Sequence, residues 1–240
     1  ENSGLFGLRK TGKTSVIFGV QRALAQTNCK SVFIDCQSPA LHRRRWNHAL
    51  HYIIQELVRQ HQLNISLVSE DKYTEEDAAT LFEKDILAAY AQFNKNNILL
   101  IFDEIENVTF DISPSEHWAK ELDFVYFWQT LRSLFQKLNN VFSYLVIGTN
   151  PMCIEAPTVH DKDNPIFNQF PFEYLKGFTV SQTTQMVRKL GRYMGLNFDD
   201  LIYGKLTEDF GGHPYLIRHV CSVINNICPT ERPIFVDKTT

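Results

Sequence analysis

The eight residues Gly7–Thr14 constrain the fold of this chain more than any other segment. They read G-L-R-K-T-G-K-T and fit the pattern G-x-x-x-x-G-K-S/T. The apolar pair Leu5–Phe6 precedes them, and apolar residues at helical spacing follow between positions 16 and 24. Glycine lets successive backbone N–H groups turn towards an anion, and the N-terminus of the next helix favours negative charge. The segment therefore predicts a phosphate-binding loop; the alternative is a glycine-rich turn before a helix.

Two side chains of this loop have specific expected roles. Lys13 supplies a mobile positive charge for the outer phosphates of a nucleotide, and the Thr14 hydroxyl is a predicted Mg²⁺ ligand. The candidate nucleotide contacts in this segment are Gly7, Arg9, Lys10, Thr11, Gly12, Lys13, Thr14 and Ser15.

A second signal is an apolar run that ends in two acids. Residues 97–104 read N-I-L-L-I-F-D-E, which is typical of a buried parallel strand. Because ligands bind at the carboxyl ends of such strands, Asp103 is a predicted Mg²⁺ ligand and Glu104 a predicted general base for an attacking water. The alternative is a solvated acid pair at a loop entrance, and Glu106 is expected to be merely solvated.

A third apolar strand, predicted over 144–147, ends in Gly148–Pro151. A polar side chain at this position can contact the attacking water in enzymes that sense a γ-phosphate. Thr149 and Asn150 are both candidates, and Asn150 is favoured because its amide offers a donor and an acceptor. The alternative is an ordinary turn, since Asn-Pro is strong turn chemistry.

Alternating strands and helices predict an α/β fold with a mostly parallel sheet, helices on both faces and a small C-terminal helical lid. Further elements are a strand over 31–35, helices over 46–60 and 75–93, a long loop over 151–171 and a last strand near 172–175. We predict a nucleotide-binding domain over 1–176 and a lid over 177–240. One helix carries an apolar stripe that we assign to the core rather than to base stacking: Phe124, Phe127, Trp128, Leu131, Leu134, Phe135 and Leu138.

The C-terminal segment has a helical pattern. A helix is predicted from Thr179 to Gly195 and another over 198–210. Gly211–Pro214 breaks the chain and starts a third helix, either as a simple capping arrangement or as part of a lid over a nucleotide. Arg218, one turn into that helix, is a candidate contact to the γ-phosphate; the alternative is an exposed or ion-paired surface arginine.

Composition excludes several classes. The chain of 240 residues is 44% hydrophobic with a net charge of −3, so nothing global attracts nucleic acid or an anionic membrane. No apolar run is long enough to span a bilayer, and no signal peptide opens the chain. Five widely spaced cysteines indicate neither a disulfide framework nor a zinc site, so a reducing cytoplasm is the expected setting.

Other polar clusters have ordinary interpretations. Arg43–Arg45 is a short basic run that we expect to be a solvated helix entry; a nucleic-acid patch or a subunit contact is the alternative. His48 and His51 lie one helical turn apart, but no acid or cysteine completes a metal site, so we expect them to be surface or core residues. Arg132 and Arg192 are weaker candidates for contact with a neighbouring subunit's nucleotide.

These motifs, together with the Gly212–Pro214 turn, resemble the STAND class of signal-transduction P-loop ATPases related to AAA+ proteins, and prokaryotic members in particular. The resemblance implies that Pro214 packs near the adenine. It also implies a switch in which ADP holds a closed monomer, whereas ATP and a protein or nucleic-acid trigger give an open homo-oligomer, often in antiviral defence. Thr149–Asn150 departs from the arginine common at that strand end in the class.

Three functions remain from the sequence. The first is an ATP-hydrolysing STAND-type switch in a longer chain with effector and sensor domains. The second is an ATPase acting on nucleic acid, similar to AAA+ replication initiators. The third is a nucleotide-binding module without hydrolysis, against which Glu104 argues. We expect binding of ATP and Mg²⁺ with slow hydrolysis, because an arginine in trans often supplies part of the rate. The few residues before Gly7 suggest a central module of a longer polypeptide.

Overall fold

The computed structural model describes residues 1–139 and 141–237. The chain divides into two compact units. The first unit consists of residues 1–6 and 13–174, and the second consists of residues 7–12 and the chain from Leu175 onward. The functional division at 176/177 remains a prediction.

The first unit is built on a five-stranded parallel sheet. The strands of this unit are β1 (Ser3–Phe6), β2 (Cys29–Asp35), β3 (Asn97–Asp103), β4 (Phe142–Gly148), β5 (Thr158–Val159), β6 (Lys162–Asp163) and β7 (Phe172–Tyr174). The sheet order is β2-β3-β4-β1-β7, and β5 and β6 form a separate antiparallel pair. In β3, the side chains of residues 100–103 are all buried, as a strand covered on both faces requires.

Helices pack around this sheet. They are α1 (Lys13–Leu24), α2 (Pro39–His42), α3 (Trp46–His61), α4 (Ala78–Gln92), α5 (Glu116–Ala119), α6 (Asp123–Leu138) and α7 (Met152–Glu155). Single-turn 3₁₀ helices occupy Glu70–Lys72 and Ile105–Val108. The predicted doubly wound arrangement is therefore confirmed, with each predicted long helix shifted by at most a few residues.

The aromatic stripe of α6 lies in the core, as predicted. Phe124, Phe127 and Trp128 are at most 1% exposed. The Trp128 ring lies 5.4 Å from Phe102 of β3 and 5.3 Å from Tyr144 of β4, measured between ring centroids. These contacts attach α6 to the sheet and place the three rings in the core.

The segment 151–171 is more ordered than the predicted long loop, because it contains α7 and the β5–β6 pair. The buried Asn164 amide organises it. Its Nδ2 donates to the carbonyls of Cys153 and Ala156, both at 2.8 Å, and its Oδ1 accepts from Ile166 N at 3.0 Å. A single buried amide therefore satisfies backbone groups that would otherwise be left unpaired.

The second unit is mostly helical. Its elements are α8 (Val180–Met194), β8 (Leu196–Phe198), α9 (Asp200–Asp209), α10 (Pro214–Ile227) and β9 (Ile234–Val236). Strands β8 and β9 pair in parallel, and a small apolar core forms around Val187, Leu206 and Ile217. Within the described residues, no helix has the length and apolar character that a bilayer crossing requires.

The helix ends in this unit lie close to where the sequence predicts them, with one exception. Thr179 and Gln182 form a reciprocal capping box at the start of α8, and Gly195 ends that helix at φ 69°. The predicted start of the next helix at Phe198 is wrong, since Phe198 closes β8. Helix α9 begins two residues later, because the Asp199 carboxylate accepts from Leu201 N at 2.8 Å.

Candidate functional site

The carboxyl end of β3 places Asp103 beside the start of α1. Asp103 is only 4% exposed. Its Oδ1 accepts from Glu104 N at 3.1 Å, and its Oδ2 lies 3.4 Å from the Thr14 hydroxyl, which donates to it. A carboxylate and a hydroxyl side by side are hard oxygen ligands of the kind that Mg²⁺ prefers. The two residues predicted to bind metal are therefore neighbours in the fold.

Burial raises the pKa of the Asp103 carboxyl above its ordinary value. Hydrogen bonds from Glu104 N and Thr14, and the positive charge of Lys13, oppose this rise without cancelling it. The charged carboxylate is thus incompletely compensated by its protein neighbours. A cation placed against its oxygens would supply that compensation.

Lys13 extends across the sheet edge to β4. Lys13 is 5% exposed, and its Nζ donates to Thr149 Oγ1 at 3.3 Å. Asn150 faces elsewhere, because its Oδ1 accepts from Met152 N at 2.9 Å and so supports the start of α7. Of the two candidates at this strand end, Thr149 is the one in contact with the loop lysine, whereas the preference for Asn150 remains a prediction.

Glu104 adopts a left-handed backbone conformation, with φ 54° and ψ 47°. Its carbonyl accepts from the backbone N of Asn107 at 3.1 Å and from the Asn107 side chain at 2.9 Å, which holds the sharp turn after β3. A non-glycine residue in a sparsely populated region costs about 1–3 kcal/mol and persists where its surroundings enforce it.

Glu106 is not the solvated carboxylate expected from the sequence. It is half-buried, and its two carboxylate oxygens lie 3.1 and 3.3 Å from Thr149 N, which donates to them. A Cβ at Gly148 would collide with the Glu106 carboxylate and with the Ile105 side chain, so this approach requires glycine. Sequence reasoning missed this hydrogen bond because Glu106 and Thr149 lie 43 positions apart in the chain. The one signal for it was an acid two positions after the predicted strand over 97–104.

The first six residues of the phosphate loop belong to the second unit. Thr11 closes a tight turn, in which its hydroxyl donates to Leu8 O at 2.7 Å. Lys10 lies in the left-handed region at φ 63°, and Gly12 at φ 104°. A Cβ added at Gly12 would meet no atom within 4 Å, so space is open beside the loop at this point. The backbone of this segment therefore turns sharply, and its role as an anion cradle remains a prediction.

The Gly-His-Pro turn of the second unit contacts the same loop. The ring Nε2 of His213 lies 3.1 Å from Arg9 O, and the ammonium of Lys10 lies 3.9 Å from the centroid of the Tyr215 ring. Pro214 occupies the first turn of α10, as predicted. Arg218 is exposed, and its guanidinium forms no hydrogen bond or ion pair with any residue that the structure describes. The sequence did not single out Tyr215.

The predicted site residues therefore fall into two groups. In the first unit the structure brings together Lys13, Thr14, Asp103 and Thr149, with Glu104 adjoining Asp103 and Ser15 exposed one position further along α1. In the second unit it brings together Arg9 and Lys10 with the turn before α10. These positions agree with the predicted roles, which remain predictions.

Two residues of the basic run 43–45 are ion-paired instead of solvated as expected, whereas Arg43 is exposed. Arg44 pairs with Glu70, and Arg45 pairs with Glu121 and with the fully buried Asp123, both at 2.8 Å. His48 and His51 face the same Glu70 at 3.7 and 3.8 Å. Among residues 1–139 and 141–237, no group of three His, Cys, Asp or Glu side chains is arranged to hold a metal ion.

Comparison with known proteins identifies the fold. No protein-family model and no curated protein matches the sequence. Among solved structures, the Aeropyrum pernix ORC2 protein in ADPNP–ADP complexes is similar, with a TM-score of 0.54, 14% identity and 93% of this chain covered. A DNA replication initiation factor is also similar, with a TM-score of 0.53, 11% identity and 94% covered.

This chain spans 62% and 55% of the lengths of those two chains. Together with the parallel sheet and the helical C-terminal unit, the similarities confirm the predicted α/β fold, in which a parallel sheet with helices on both faces is followed by a small helical region.

Proposed function

We propose that this chain binds ATP with Mg²⁺ and hydrolyses it. The observation that carries the proposal is the contact between the Thr14 hydroxyl and the buried Asp103 carboxylate, at 3.4 Å. It places the hydroxyl of the phosphate loop against the acid at the end of β3. A Gly-rich turn without function has no need of a buried, incompletely compensated carboxylate at that point.

The chemistry of each site residue determines its proposed role in binding the nucleotide. The amides of Gly7–Gly12 cradle phosphate oxygens, and the Lys13 ammonium neutralises the outer phosphates. Thr14 and Asp103 hold the metal, and Mg²⁺, when bound, supplies charge neutralisation on the phosphate oxygens. Further phosphate contacts are proposed for Arg9, Lys10, Thr11 and Ser15. Pro214 and Arg218 are proposed as nucleotide contacts of the second unit.

Hydrolysis requires a group that orients and deprotonates a water molecule. We assign this role to Glu104, because it is a carboxylate that directly follows the proposed metal ligand Asp103. Two polar residues follow the end of β4 and are candidates to contact that water: Thr149, which accepts from Lys13, and Asn150. We expect slow turnover in an isolated chain, since a missing arginine in trans is worth about 10³–10⁵ in rate in related systems.

Two roles for such an ATPase are open, and the comparisons favour the second. The first is a STAND-type switch in which nucleotide state controls homo-oligomerisation, effector and sensor domains lie in the same longer cytoplasmic chain, and a trigger releases the closed form. The second is an ATPase acting on nucleic acid. It has the better support because one of the two similar structures is named a DNA replication initiation factor, although the identities of 14% and 11% extend only to the fold.

Isothermal titration calorimetry of the wild-type chain with ATP tests the shared part of the proposal. We expect binding in Mg²⁺ that weakens in EDTA, and phosphate release that requires the metal. Thr14→Val keeps the shape of the side chain but removes the hydroxyl, so ATP binding by this variant should no longer depend on Mg²⁺. No heat with any purine triphosphate would overturn the proposal.

The two roles give different results with the same protein. Light scattering with ATP and with ADP reports on the switch, which predicts a larger assembly only with ATP. Phosphate release with and without duplex DNA reports on the nucleic-acid role, which predicts a change in turnover when DNA is added.

A further inference from the structure

The second unit contains a polar cavity that the proposed nucleotide contacts do not use. Its volume is about 260 Å³, and it lies where the C-terminal half of α8, strand β8 and helix α9 meet. Its lining residues are Arg188, Arg192, Leu196, Asn197, Phe198 and Tyr203. Sites for drug-sized ligands have about 300–1,000 Å³. This cavity therefore suits a small polar group rather than a whole nucleotide.

One wall of the cavity holds an oriented guanidinium. The guanidinium carbon of Arg188 lies 5.3 Å from the centroid of the Tyr203 ring, and the Tyr203 hydroxyl is anchored on Phe198 O at 3.2 Å. Arg188 also pairs with Asp200 at 2.7 Å, but the Asp200 side chain is 83% exposed. Because both side chains are exposed, this surface pair is weak and another anion can replace the Asp200 carboxylate.

A second guanidinium stands one turn further along the same helix. Arg192 is exposed, and its guanidinium forms no hydrogen bond or ion pair with the residues that the structure describes; the same is true of the Asn197 amide. Residues four apart on a helix have Cβ atoms about 5–6 Å from each other. The cavity therefore combines two arginine forks with one amide, a donor set for an oxyanion.

The net charge of the second unit also favours binding of an anion. Residues 7–12 and 175–240 contain ten Lys and Arg against six Asp and Glu, whereas the complete chain has 24 against 27. The second unit is thus basic within an acidic chain. An asymmetry of this kind is typical of a chain that presents one part to a polyanion.

We propose that Arg188, Arg192 and Asn197 form a phosphate-binding site through which the second unit contacts the backbone of DNA. The fork of an arginine matches a phosphate in a bidentate manner, and contacts of this type position a protein on DNA without reading its sequence. The inference rests on the second of the two proposed roles, and it adds a contact surface to that role. It does not depend on ATP binding.

The test uses fluorescence anisotropy with a short labelled DNA duplex of arbitrary sequence. Arg192→Ala should weaken binding about tenfold, and it should lower the slope of log K against log salt concentration by about 1. Lys189→Ala is the matched control, because Lys189 is exposed on the same helix, carries the same charge and does not line the cavity. It should have a clearly smaller effect. Arg192→Lys, which keeps the charge but loses the fork, should give an intermediate affinity.

Three outcomes would overturn the proposal. The wild-type chain would fail to bind the duplex, Lys189→Ala would weaken binding as much as Arg192→Ala, or an RNA duplex would bind while DNA does not. Calorimetry with ATP on the same variants separates the two proposals. Absence of ATP binding in the wild type together with intact DNA binding would overturn only the ATPase.

Discussion

The ammonium of Lys13 lies 3.3 Å from the hydroxyl of Thr149, across 136 positions of sequence. This hydrogen bond joins the phosphate loop to the end of β4, and Glu106 holds the backbone of the same Thr149. The lysine is therefore held in place by a contact within the protein. Preorganised charge of this kind costs little rearrangement when an anion binds.

Lys13→Ala should abolish ATP binding measured by calorimetry, because it removes the buried positive charge of the loop. Lys84→Ala, on an exposed position of α4, should leave the affinity unchanged. If Lys13→Ala binds ATP as tightly as the wild type, the loop does not hold the outer phosphates.

Glu104→Gln should retain ATP binding and reduce turnover by about 10²–10⁴-fold, since a glutamine orients water but does not accept its proton. The measurement is steady-state phosphate release beside a binding isotherm for each variant. Glu76→Gln, an exposed acid of the same unit, is the control. Unchanged turnover in Glu104→Gln would show that another group is the base.

Asp103→Asn should raise the thermal stability of the ligand-free protein at about pH 7 and weaken Mg²⁺-dependent ATP binding. Because burial raises the folded-state pKa of this carboxyl, the folded state binds more protons than the unfolded state between the two pKa values. The destabilisation caused by the charged, buried Asp103 carboxylate is therefore absent below its unfolded-state pKa and fully present above its folded-state pKa.

The gain in melting temperature of Asp103→Asn over the wild type should accordingly shrink as the pH falls and vanish below about pH 4. Melting curves in EDTA across this range are the measurement. A variant that melts below the wild type at neutral pH would contradict the sign of the predicted effect.

Arg45→Met should destabilise the first unit, because it leaves the fully buried Asp123 carboxylate without its paired cation. Losses of about 3–5 kcal/mol are typical when a buried pair is broken, and the effect here should lie at or below that range because the Arg45 side chain is 42% exposed. Urea unfolding measures the loss.

Arg43→Met, at an exposed position of the same basic run, is the matched control and should have little effect. Adding Asp123→Asn to Arg45→Met should recover part of the stability, because the buried charge is then gone. An unaltered unfolding free energy for Arg45→Met would mean that the pair contributes nothing.

Four features were predictable from the sequence: the loop over residues 7–14, the acid at the end of β3, the apolar stripe of α6, and the helix caps at Thr179 and Gly195. Each depends on residues close together in the chain. Glycine geometry, helical spacing and capping act over a few positions, so their signal is present in a short segment. The parallel sheet followed from the alternation of such segments.

Contacts between distant segments were decided only by the tertiary structure. The pairing of Glu106 with Thr149, of Lys10 with Tyr215 and of Arg45 with Asp123 each joins residues far apart in sequence, and no local pattern marks their partners. For the same reason, the sequence placed Glu106 and Arg45 in solvent. Which strand ends adjoin one another depends on the sheet order β2-β3-β4-β1-β7, a property of the packed core that no single segment contains.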